Sequence, residues 1–124
     1  MQTNEFEYPP VIIKLFATYR ALYPLLKNFE KLSRHTLGRS LETTLIDTIT
    51  LVIEANSIPL PLRDLPLRKA GAKTHMLSFL LRIAHENGEI GAEKFHLLSD
   101  NVTEIRKMLA GWVAYMNKRP LGKA

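Results

Sequence analysis

Apolar positions recur along this chain at helical spacing in four stretches, which prolines, glycines and polar clusters separate. The first stretch opens at Pro9-Pro10, because proline suits the first turn of a helix. Ile12, Leu15, Tyr19, Leu22, Leu26 and Phe29 then follow at steps of three and four residues, the seam spacing of a packed helix. Pro24 lies inside this run. It lacks an N–H and crowds the preceding turn, but the pattern continues past it, so the spacing predicts a kink rather than an end. Ser33-Arg34-His35-Thr36 is a polar break with Thr36 as the expected N-cap.

A second helix is predicted over residues 37–55, with Leu41, Leu45, Thr48 and Val52 on one face and Ile46, Ile49 and Ile53 beside it. Its Thr and Ile content also suits a strand, but its length and 3.6-residue period favour helix. Residues 56–62 contain Pro59 and Pro61 and read as a loop. Asp64 is placed to cap a third helix, with Pro66 in the first turn and Leu65, Ala72, Met76, Phe79 and Ile83 as its seam. Asn87-Gly88 is its stop signal. The fourth helix starts near Gly91 or Ala92 and repeats Phe95, Leu98, Val102, Ile105, Leu109, Trp112 and Met116 without a miss until Pro120. Four amphipathic helices with short connections predict an all-α fold, an antiparallel up-down-up-down four-helix bundle. The whole of residues 1–124 reads as one domain, with a flexible leader over 1–9 and a flexible tail over 119–124.

Composition narrows the chemistry. The 124 residues contain no cysteine, which excludes disulfides, thiolate metal sites and thiol nucleophiles. With 46% apolar residues the chain can build a core without staples. No run approaches the roughly 18 apolar residues of a membrane span, and the acidic, polar start does not resemble a signal peptide. The expected location is the cytoplasm.

Helical bundles often hold metals, but the di-iron type needs two Glu-x-x-His motifs with two further inward glutamates. Here there is one match, Glu93 with His96. His85-Glu86 begins like a zinc-protease helix, but Glu89 stands where the second histidine belongs. No phosphate-binding loop, nucleophile elbow or dinucleotide fingerprint occurs, and His35, His75, His85 and His96 show no pairing spacing. The expectation is a protein that is not an enzyme and has no cofactor or metal.

Charge points to an anionic partner. Lys and Arg number 17 against 12 Asp and Glu, a net +5. Residues 37–58 are net acidic, whereas the flanking segments are net basic. Between Leu65 and His85 stand Arg68, Lys69, Lys73 and Arg82 with no acid among them. After Glu104 come Arg106, Lys107, Lys118, Arg119 and Lys123, again without an acid. Arg68, His75 and Arg82 are seven apart and form one stripe, and Lys107 and Lys118, eleven apart, share a face. Consecutive antiparallel helices would merge these stripes into a basic surface for phosphates rather than for base edges. The alternative is that these cations only solubilise the flanks of buried seams. Trp112 reads as core, and Gly111 and Gly38 read as points of close helix approach.

Three segments together resemble one family. Phe29-Glu30-Lys31-Leu32-Ser33-Arg34-His35-Thr36-Leu37-Gly38-Arg39-Ser40-Leu41-Glu42, Leu77-Ser78-Phe79-Leu80-Leu81-Arg82-Ile83-Ala84 and Ile105-Arg106-Lys107-Met108-Leu109-Ala110-Gly111-Trp112 resemble the accessory variability determinant (Avd) proteins of diversity-generating retroelements. That resemblance implies a non-catalytic homo-oligomer, a pentamer, with a basic surface. It implies partners too: the retroelement reverse transcriptase and RNA or DNA, in support of mutagenic cDNA synthesis and retrohoming. It adds Arg34 and Arg39 to the expected binding residues, beside Arg68, Lys69, Lys73, Arg82, Arg106, Lys107, Lys118 and Arg119. The chain departs from the family pattern in the proline-rich Ser57-Ile58-Pro59-Leu60-Pro61 and at Gly91. A sister family, the four-helix-bundle protein encoded by intervening sequences of 23S ribosomal RNA genes, is similar in its leucine pattern. It would imply a self-assembling structural protein. The basic balance and the Thr-Leu-Gly and Gly-Trp motifs favour the retroelement family.

Overall fold

The computed structural model describes residues 9–118, of which the side chain of Lys118 is not among the described parts. Arg119, the Pro120 stop, the predicted tail and all of the predicted leader except Pro9 lie outside the described residues. Four long helices carry the architecture: α1 (Pro10–Leu26), α2 (Arg39–Ser57), α3 (Asp64–Glu86) and α4 (Ala92–Lys118). Each packs on its neighbours in sequence, and α1 closes the ring against α4. With short connections this is the four-helix bundle that the periodicity predicts. No strand occurs among the described residues.

Three of the four predicted seams form the core. Ile12, Leu15, Leu22, Leu26 and Phe29 are buried on the α1 side, Leu41, Leu45, Thr48 and Val52 on α2, and Leu98, Val102, Ile105 and Leu109 on α4. Trp112 packs partly buried at the rim of this core. The α3 seam lies elsewhere. Pro66, Leu67, Ala70, Thr74, Leu77, Leu81 and Ala84 are its buried residues, whereas Leu65, Met76 and Phe79 are 62%, 51% and 59% exposed. Helix α3 thus carries two apolar stripes, and the one that mixes leucines with small residues faces the core. Ala70, Thr74 and Ala84 let neighbouring helices close in, which gains packing over area. The buried threonines are satisfied locally: Thr18 donates to the Lys14 carbonyl at 2.8 Å, Thr48 to Thr44 at 2.8 Å and Thr74 to Gly71 at 2.6 Å.

The ends of the helices differ from the expectation in detail. Helix α1 continues through Pro24 but stops at Leu26, and Phe29 reaches the core from the following turn. Pro24 lies on the solvent side, where the carbonyl it leaves without a partner can meet water. The chain becomes helical again at Lys31–Ser33, passes through a π-helical turn at Arg34–Gly38 and runs on directly as α2. Thr36 is therefore inside a helix, not at its start, and its hydroxyl donates to the Leu32 carbonyl at 3.0 Å. Helix α2 extends to Ser57, and the expected loop contains a 3-10 turn at Leu60–Leu62. Asp64 is the first residue of α3 and makes no side-chain cap. Its carboxylate instead takes a 2.7 Å bond from Arg68 Nε, one turn on.

Arg63 closes the α2–α3 connection. Its Nε donates to the Ile58 carbonyl at 2.8 Å, and its guanidinium lies 5.7 Å from the Trp112 ring centroid. Gly88 ends α3 with φ at +83°, a conformation that favours glycine. At the same end of the bundle, Glu89 Oε1 accepts the Glu30 amide at 3.1 Å, tying the α3–α4 turn to the start of the Lys31–Ser33 turn.

Candidate nucleic-acid interface

The expected binding residues occupy three surfaces. Arg68 and His75 border a groove of about 500 Å³ between α3 and α4, with Arg106 on its far wall. Lys69 and Lys73 border a groove of about 730 Å³ between α2 and α3, where Asp47 and Met76 complete the walls. Arg34 and Arg39 enter a cleft of about 580 Å³ at the elbow between α1 and α2. Arg82 and Lys107 are exposed outside these depressions. Lys118 and Arg119 add no described side chain.

The acid-free runs are not free of acid in space. Arg68 pairs with Asp64 at 2.7 Å, Arg82 with Glu86 at 3.7 Å and Lys73 with Asp47 at 3.6 Å. Two of these acids stand one helical turn from their partner, just beyond the window that the sequence defined, and the third comes from α2. All six side chains are substantially exposed. Such pairs are worth at most about 1 kcal/mol and weaken with salt, so each cation can exchange its carboxylate for a phosphate. Among the described residues Arg34, Arg39, Lys69 and Lys107 have no acid within 4.0 Å.

Arg106 is built differently. Its Nε donates to Thr74 Oγ1 at 3.1 Å, and its Nη2 donates to the Thr74 carbonyl at 3.1 Å and to Ser78 Oγ at 2.6 Å. Thr74 Oγ1 already donates to the Gly71 carbonyl, so its lone pairs face the arginine. The half-buried guanidinium clamps α4 to α3, and a planar fork suits this better than an ammonium. The two glycines also separate. A Cβ on Gly38 would lie 3.4 Å from both Phe29 Cδ2 and the Ser33 carbonyl oxygen, which is ordinary contact, so this buried position has room for one methyl group. Gly111 has nothing within 4 Å of such a Cβ and lies on the open face of α4.

The elbow cleft has the most developed chemistry, and the glutamate in it is already engaged. Tyr19 donates its hydroxyl to Glu42 Oε2 at 2.7 Å across the α1–α2 contact. That bond to Glu42, aided by burial, raises the Tyr19 pKa above its ordinary 10.0. Tyr23 stacks on Tyr19 with ring centroids 5.9 Å apart, and Lys27 Nζ sits 5.6 Å from the Tyr23 centroid. Tyr23, Lys27 and His35 are cleft residues that the sequence did not single out for binding; the residue spacing 19, 23, 27 along one helix face was the available signal.

Other polar groups serve the fold. His85 Nδ1 lies 2.9 Å from the Ile90 carbonyl, which can only accept, so this nitrogen carries the proton. The ring stacks on Phe95 at 4.5 Å and 4°. No three His, Asp or Glu side chains converge as a metal cage among the described residues. No helix among them is long and apolar enough to cross a membrane.

A family model described as bAvd-like matches residues 12–116. No curated protein and no solved structure matches the chain.

Proposed function

Because this chain belongs to the bAvd-like family, the bacterial accessory variability determinant type, we propose that it is the non-catalytic partner of a retroelement reverse transcriptase. It binds that enzyme and the template RNA or its cDNA, and so supports mutagenic cDNA synthesis and retrohoming. The family match across nearly the whole bundle carries this reading. The charged surface supports it. Arg34, Arg39, Lys69 and Lys107 offer cations without a competing acid, and Arg68, Lys73 and Arg82 offer cations held only by exposed pairs. Contacts of this kind neutralise phosphates and release counterions, which favours binding without base readout.

Self-assembly belongs to the same proposal. The exposed α3 stripe of Leu65, Met76 and Phe79 is flanked by Arg68, Lys69 and Arg82. Helix α2 presents the exposed pair Ile46 and Ile53 beside Glu54. The apolar stripe on α3 complements the apolar patch on α2, and a second copy of this chain supplies it. The proposed assembly is a homo-oligomer, a pentamer by resemblance. An apolar stripe outside the core also suits the self-assembling structural role of the ribosomal intervening-sequence proteins, but that role gives the unpaired cations no use.

The test is reconstituted cDNA synthesis. Reverse transcriptase from the same retroelement, supplied with template-repeat RNA, is expected to yield template-primed cDNA only with this protein added. Equal cDNA yield in its absence would refute the accessory role.

A further inference from the structure

We propose that the elbow cleft between α1 and α2 is a subsite for one nucleotide of a single strand, with the phosphate on Arg34 and Arg39 and the base on Tyr23. This rests on the nucleic-acid reading above and narrows it from a surface to a place. Three observations converge there.

The first is the π turn. In an α-helix, residues five apart point about 140° away from each other. A π turn bonds residue i to residue i+5 and so brings such residues toward one side. Arg34 and Arg39 are five apart across the turn at Arg34–Gly38, and both border the cleft. A helix that holds a less favourable register here gains two guanidinium groups on one wall. Behind the turn, the buried Gly38 faces Phe29 and Leu26.

The second is the state of the charges. Neither arginine has an acid within 4.0 Å among the described residues, and Glu42 is bonded to Tyr19 at 2.7 Å. Lys27 adds a third cation on the opposite wall. The cleft is thus electropositive, and its one carboxylate is turned to another partner.

The third is an aromatic platform. Tyr23 is exposed and is backed by Tyr19, while Lys27 Nζ rests 5.6 Å from its ring centroid. An exposed ammonium over a ring is held more weakly than a stacked base, so a base displaces Lys27 from the ring and frees it for the phosphate. The buried Leu26 lines the cleft as well. Cations beside an open ring fit a nucleotide; an acidic peptide would use the cations and leave the ring idle. A duplex keeps its bases stacked on each other and cannot use the ring either.

The experiment is fluorescence anisotropy with a labelled single-stranded oligouridylate of about ten nucleotides, titrated with the full chain from about 50 to 200 mM salt. Tyr23→Ala is expected to weaken binding on the order of tenfold without changing the salt slope. Arg34→Ala and Arg39→Ala are each expected to lower the slope by about 0.7. Tyr23→Phe should bind like the parent, as should Lys94→Ala, which removes an exposed cation on α4. Binding to a short RNA duplex should not respond to Tyr23→Ala. These positions are exposed, and circular dichroism checks that each variant folds. Single-strand binding that ignores Tyr23→Ala and both arginine variants would overturn the subsite and leave the general nucleic-acid reading standing. No binding of either probe even at the lowest salt would overturn both. Displacement of the strand by polyglutamate, together with insensitivity to Tyr23→Ala, would make the cleft a peptide site and overturn the proposal.

Discussion

At the scale of single residues, position in the sequence and role in the molecule can part company. Arg106 and Lys107 are adjacent cations, but Arg106 uses its guanidinium on Thr74 and Ser78 while Lys107 is exposed. Arg106→Ala is expected to cost about 1 to 2 kcal/mol in urea denaturation, since hydrogen bonds to a charged group are lost at a half-buried site. Arg106→Lys should recover little of this, because one ammonium does not span both partners. Lys107→Ala should stay within about 0.5 kcal/mol of the parent. Tyr19 offers a pH-dependent test. Its pKa is raised by the bond to Glu42, so the stabilisation is complete below the unfolded value of 10.0 and is lost as pH rises through the higher folded value. Tyr19→Phe should therefore be less stable than the parent by about 1 kcal/mol at neutral pH. The gap between them should close above about pH 10. A gap that persists in strong base would assign the loss to packing instead.

At the scale of elements, the elbow packs around the buried Gly38. A Cβ there would meet Phe29 and the Ser33 carbonyl at ordinary contact distance, 3.4 Å, so alanine fits, whereas valine adds two more methyl groups at a buried position. Gly38→Val is expected to cost about 1 to 3 kcal/mol by overpacking, measured by denaturant unfolding. The same substitution at the open Gly111 should not overpack. The four helices were legible because three seams are long and made of large residues, such as Ile12, Leu45 and Ile105. Helix α3 carries two apolar stripes, Leu65, Met76 and Phe79 on one and Leu67, Leu77 and Leu81 on the other, so periodicity alone does not choose between them; Ala70, Thr74 and Ala84 lie with the second, which is the one that faces the core. The π turn leaves no trace in periodicity, so Arg34 and Arg39 entered by resemblance rather than by spacing. Two acid partners, Asp64 and Glu86, were readable at i,i+4, but the third pair joins Asp47 to Lys73 between helices and needed the fold.

At the scale of the whole molecule, the bundle buries one seam per helix and leaves a second stripe outside on α3. That surplus predicts assembly. Light scattering should give a mass well above the 14.1 kDa of one chain. Met76→Glu combined with Phe79→Glu should return it to that mass with unchanged helicity, because both side chains are already exposed. A parent protein that scatters as a monomer would remove the assembly claim. Above assembly stands the accessory role itself, whose most direct test is physical association with the enzyme it is proposed to serve. Tagged reverse transcriptase from the same retroelement should retain this protein through size-exclusion chromatography in a fixed ratio, after nuclease treatment has removed bridging nucleic acid. The expected result is one co-migrating peak. Separate elution of the two proteins at low salt would contradict the account.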